Sequence, residues 1–160
     1  MSLSDNRARE SKTLHQVLTD IVNSYAGVYS GFCVDTDGLL IEEVNLEGTM
    51  GKESSLILCS LVAGIHSSLD TIGKEIGSSP WVSFTSESDK FKLLLRDMGR
   101  IAFLGILADP YVDLELLNLI ISPAIDAILE ILQQGSIKRN LPDLPSLITI
   151  SQAELDEILK

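Results

Sequence analysis

The sequence predicts a single α+β domain with the order α-β-β-α-β-β-β-α and a sheet covered by helices on both faces. Three observations carry this. The apolar period switches between helical (3.6) and extended (2) values at defined points. Gly-, Asp- and Pro-containing clusters separate the periodic segments. The last extended run, Ile101 to Ala108, is apolar at both parities, as a strand covered on both sides must be.

The elements follow in order. Leu14, Val17, Leu18, Ile21, Val22 and Tyr25 form an amphipathic helical stripe with Gly27 as its stop. Val28 to Val34 and Leu39 to Val44 flank the turn residues Asp35-Thr36-Asp37-Gly38, which reads as a β-hairpin. A loop from Asn45 to Gly51 leads into a long helix from about Lys52 to Ile76. Its stripe of Leu58, Leu61, Val62, Ile65, Leu69, Ile72 and Ile76 is expected in the core, while Ser60, Ala63, Gly64, Ser67, Ser68 and Thr71 crowd its other side with small residues. Trp81 to Ser86, Phe91 to Arg96 and Ile101 to Ala108 read as a three-strand meander. After Asp109-Pro110 a second long stripe, Leu114 to Leu132, ends at Gly135. Pro123 lies inside it and cannot donate to the carbonyl of Leu119, so a kink or a division into two helices is expected.

Residues 1–12 read as an N-terminal extension, 13–135 as the domain, and 136–160 as a tail. In the tail, Pro142 and Pro145 precede an apolar run, Leu147 to Ile150, and Ser151-x-x-Glu154 has the capping-box pattern for a short terminal helix.

Composition narrows the function. The 160 residues are 45% apolar and 22% charged, ordinary globular usage, and a chain of this length buries roughly 70% of its unfolded surface around one core. Twelve Lys and Arg against 23 Asp and Glu give a net charge of -11, which repels phosphate backbones and anionic headgroups. Nucleic acid is therefore not an expected partner. The N-terminus lacks the apolar run of a secretory signal, and polar residues or Pro interrupt every apolar stretch before about 18 residues, so membrane insertion is not expected and a cytoplasmic location is.

Few residues suggest chemistry. Cys33 and Cys59 lack a CxxC pattern or nearby histidines and read as small buried hydrophobes. Asp35, Asp37 and Glu42 loosely imitate a calcium loop, but flanking strands favour a hairpin turn. Asp35, Asp37, Glu42, Glu43 and Glu47, five acids before the next cation at Lys52, form either a docking patch for a basic surface or a solvated rim. His66 reads as a neutral interface or surface histidine. Arg96 and Arg100 flank a turn, where strand-end solvation competes with an arginine finger. No GxxxxGK[ST] or GxGxxG loop occurs, so the chain is not expected to hold a nucleotide, and no catalytic, cofactor or metal set is assigned.

The Asp35-Thr36-Asp37-Gly38-Leu39 turn after an apolar strand, the small-residue central helix, and Leu104-Gly105-Ile106-Leu107-Ala108-Asp109-Pro110 feeding a helix resemble the Roadblock/dynein light chain domain, from about Leu14 to Leu132. The resemblance implies a roadblock/profilin-like fold: a five-stranded antiparallel sheet, the middle helix on one face and the terminal helices on the other. It also implies a homodimer formed by the third strand and the second helix, here Trp81, Ser83 and Thr85 together with Ser60, Gly64, Ser67, Ser68 and Thr71. A non-catalytic role towards a Ras-like small GTPase is implied for prokaryotic members, whereas a small-molecule sensor or a scaffold without a GTPase is the alternative. An edge strand Trp-Val-Ser-Phe-Thr-Ser, free of charge and internal proline, invites such pairing on physical grounds as well.

Overall fold

The structure, a computed structural model, describes residues 12–46, 48 and 51–135. The expectations for the first eleven residues and for the tail after Gly135 lie outside the described residues.

The first helix, α1, spans Leu14–Ser24. Thr13 caps it through a reciprocal box: the Thr13 hydroxyl accepts from the Gln16 amide at 3.2 Å, and the Gln16 side chain accepts from the Thr13 amide at 2.8 Å. Its stripe is buried as expected, through Val17, Leu18, Ile21 and Val22.

Strands β1 (Val28–Asp35) and β2 (Leu40–Asn45) form the hairpin. Helix α2 runs from Lys52 to Ile76 and ends where Gly77 turns left-handed (φ 68°), with the Ser78 amide donating to the Gly73 carbonyl. The meander follows as β3 (Ser83–Glu87), β4 (Lys92–Met98) and β5 (Ala102–Ala108). A last helix, α3, covers residues 114–135. Asp113 caps it, its carboxylate accepting from the amides of Glu115 and Leu116. The helix is a single one and continues through Pro123, which is exposed along with Leu119, instead of dividing into two.

The five strands pair antiparallel in the order β2-β1-β5-β4-β3. Strand β5 sits in the middle, buried on both faces, as its doubly apolar run required. Strand parity divides the core. Cys33, Leu94, Met98, Leu104 and Ile106 pack with α1 and α3, whereas Phe32, Val34, Leu93, Leu95 and Phe103 pack with Cys59 and Val62 of α2. Helices therefore cover both faces, and β2 and β3 are left as the sheet edges.

Candidate protein-interaction face

Helix α2 departs most from its expected role. Of the stripe assigned to the core, Val62 is buried and Leu58, Ile65 and Leu69 are partly covered. Leu61, Ile72 and Ile76 are exposed at 58%, 56% and 74%. Over 25 residues only Ser55, Cys59 and Val62 are buried. The reason lies in the helix's own composition. Leu56, Ile57 and Leu61 oppose Cys59 and Val62, so α2 is apolar on more than one side, while the sheet can cover only one. By length and composition alone α2 could cross a bilayer, which interrupted apolar runs had argued against. Yet two polar anchors hold it down: Asp70 meets Arg100 of the β4–β5 turn at 2.8 Å, and His66, whose ring centre sits 4.7 Å from that of Phe103, accepts from the Trp81 indole.

The outward side of α2 carries the small residues named above. Ser60, Gly64, Ser67, Ser68 and Thr71 are all exposed and lie at helical spacing on one side. Several of their hydroxyls are satisfied within the helix: Ser60 donates to the Leu56 carbonyl at 3.3 Å, Ser68 to Gly64 at 2.9 Å and Thr71 to Ser67 at 2.9 Å. Such back-bonded hydroxyls demand no further partner, so the surface can be approached closely without stranding a donor. A Cβ placed on Gly64 would meet nothing within 4 Å.

Among the described residues strand β3 lies at the edge of the sheet, paired only to β4. It begins at Ser83, two residues later than expected, because Trp81 is occupied elsewhere. The Trp81 indole stacks on Phe103 at 5.7 Å and 17°, and its N–H donates to Nδ1 of His66 at 3.1 Å. Indole is only a donor, so Nδ1 of His66 is the acceptor of this pair. Trp81 is thus an anchor beneath α2 and not a member of the open strand, whereas Ser83 and Thr85 are on that strand and exposed. Between α2 and the sheet opens an apolar groove of about 460 Å³, lined by Ile57, Leu58 and Leu61 from the helix and by Phe84, Leu93 and Leu107 from the strands.

The acidic residues near the hairpin do not form one patch. Asp35 is turn cement: its carboxylate accepts from the amides of Asp37 and Leu39, both at 2.9 Å, while Gly38 takes φ 85°. Asp37 is exposed at the tip. Glu42 and Glu43 point to opposite faces, because they pair with Cys33 and Phe32 respectively. Glu42 reaches His15 of α1 at 3.4 Å, and Glu43 Oε2 is buried without a hydrogen-bond partner. Burial, with a lesser push from Glu42, raises the Cys33 thiol to about 12; burial raises Cys59 too, with Glu43 and Asp35 adding to it. Both cysteines are free and buried, as the sequence suggested.

The two arginines are engaged. Arg96 donates to the Asn118 side chain of α3 at 2.8 Å, and Arg100, at φ 63°, is bound to Asp70. Beside them Asp97 is held above its ordinary value by burial, partly offset by the Arg100 amide, and its Oδ1 has no partner. At the opposite end of the sheet, Tyr29 donates to Asp109 at 2.7 Å, which raises the phenol. Among the described residues no group of three or more His, Cys, Asp or Glu side chains could hold a metal ion.

This arrangement defines a class, the Roadblock/LC7 fold, with one helix and one strand edge unsatisfied on the same side. No family model and no curated protein matches the sequence. Solved structures match it in fold. Myxococcus xanthus MglB superposes with a TM-score of 0.69 at 23% identity, over 79% of this chain and 99% of that one. A Roadblock/LC7 domain from Streptomyces avermitilis gives 0.69 at 19% identity, over 76% and 99%. An MglB in a tetrameric arrangement gives 0.67 at 16% identity, over 84% and 93%. The resemblance drawn from the residues therefore holds at the level of the fold.

Proposed function

We propose that this chain is a non-catalytic cytoplasmic homodimer whose shared surface binds a Ras-like small GTPase. The observation that carries the dimer is the outward side of α2, rich in small residues with exposed Leu61 beside it and with the Ser60, Ser68 and Thr71 hydroxyls bonded within the helix, lying beside the edge of β3. A C2 axis there would pair two β3 strands edge to edge and bring two α2 helices together, covering Leu61 and the groove in one step. Ser60, Gly64, Ser67, Ser68 and Thr71 are the proposed helix contacts, with Ser83 and Thr85 on the strand. The tetrameric arrangement of one MglB supports self-association as a use of this fold. The GTPase partner follows from the family resemblance, with the hairpin acids Asp35, Asp37 and Glu42 kept as candidate docking residues for a basic surface and Glu43, on the opposite face, set apart from them.

Gly64→Leu tests the dimer cleanly. The side chain has free space in the protomer, and leucine improves helix propensity by up to ~1 kcal/mol, so the fold should hold. Sedimentation should show a wild-type dimer at micromolar concentration and a dissociation constant raised at least about tenfold in the variant, a loss of ~1.4 kcal/mol. Unchanged association would place the interface elsewhere. Pull-down of Ras-like GTPases from the same cell, loaded with GTP or GDP, tests the partner; capture in neither state would leave a scaffold without a GTPase.

A further inference from the structure

Among the described residues a second groove lies at the far end of the other face. Leu14 of α1, Ile41 of β2, Ile101 beside β5, and Ile131 and Leu132 of α3 line about 420 Å³, with Asp35 at its rim. Ile41 and Ile101 are exposed at 39% and 44%, and neighbouring Leu39 at 65%. Gly135, the last described residue of α3, is itself part of the lining, so the residues that follow it start beside this groove.

The residues that follow have matching chemistry. Ile137, Leu141 and Leu144 supply aliphatic side chains, and Lys138-Arg139 are the only two adjacent cations in a chain of net charge -11. The rim they would meet is acidic, with Asp35 and Asp37 in the hairpin turn and Glu42 on β2. Reach is sufficient: at ~3.5 Å per residue, Arg139 can lie up to about 14 Å from Gly135 and Leu144 about 31 Å.

We propose that residues 137–144 of the same chain fill this groove, with Ile137 and Leu141 among its aliphatic walls and Lys138-Arg139 against the Asp35–Asp37 turn. Attachment at the lip makes this an intramolecular event at high effective concentration, so modest contacts suffice. The assignment stands without the dimer or the GTPase.

The test uses the full chain. Ile41→Cys with Leu141→Cys, mildly oxidised, should give a disulfide within one polypeptide; the native thiols are buried with raised pKa and stay silent. A bond joining two polypeptides, or none, overturns docking in cis. Amide exchange in 137–144 should be slowed about tenfold relative to a Lys138→Glu/Arg139→Glu variant, the ratio for a segment docked nine parts in ten. Adding Asp37→Lys to that variant should restore part of the protection. Exchange at the same rate in all three proteins overturns the proposal.

Discussion

Replacing Gly105 by alanine would drive a methyl group into the ring of Phe32. The two residues face each other across β5 and β1, and a Cβ on Gly105 would lie 2.1 Å from Cζ, 2.3 Å from Cε2 and 2.6 Å from Cε1 of that ring. Ordinary carbon contacts are about 3.5–4.0 Å, so the ring must retreat by more than ~1 Å. It has nowhere to go: Phe32 is 1% exposed, within the cluster formed by Val34, Cys59, Val62, Leu93, Leu95 and Phe103. Overpacking typically costs 1–3 kcal/mol, and a clash with three ring atoms at once belongs near the upper end, about 3 kcal/mol. Phe32→Leu removes the offending atoms, so the double variant should be more stable than the sum of the single losses, by ~1–2 kcal/mol of coupling between touching residues. Urea denaturation at one fixed protein concentration measures all four proteins, with concentration held fixed so that any self-association contributes equally to each. A Gly105→Ala loss below about 1 kcal/mol, or strictly additive losses, would refute the reasoning.

Other outcomes follow from buried ionisable groups. Asp97 has a folded pKa above its ordinary 3.8, so the unfolded chain releases this proton first and the residue costs stability as pH rises through 3.8 towards the folded value. Asp97→Asn should therefore be more stable than the wild type at neutral pH and lose that advantage below pH 3.8; a variant less stable at pH 7 would contradict the assignment. Cys33, at about 12, and Cys59, also raised, should resist iodoacetamide at pH 8 until the protein is unfolded; fast labelling of either in the native state would show that its site opens readily.

The residues differ in how much of their role was legible. Helix α1 was legible in its orientation, because its apolar residues Val17, Leu18, Ile21 and Val22 form one stripe with a polar remainder, and period alone names the side that is buried. Helix α2 was legible as a helix but not in its orientation. Periodicity shows which residues share a side, not whether the protomer or something else covers it, so Leu61 and Ile76 were assigned to the core. The signal available was apolarity on more than one side, through Leu56 and Ile57. Trp81 was assigned to an open edge because β-propensity is local, while its bond to His66 spans 15 residues and depends on how α2 crosses the sheet. The same limit hid the separation of Glu42 from Glu43, which strand parity predicts once β2 is fixed. Gly105 was quoted as part of a motif, but its reason, an aromatic ring laid across it, exists only in the pairing register.

The scant cover of α2 has a consequence for the life of the polypeptide. A helix held by three buried residues and two polar anchors has little of the contact density that suppresses local opening, and it is the first part of a lone protomer to fray. Once open, it presents Leu56, Ile57 and Leu61 in a form that proteases and chaperones recognise. Copies made in excess of any partner would be cleared fastest, so the apolar side proposed to join subunits would then also keep their supply in proportion.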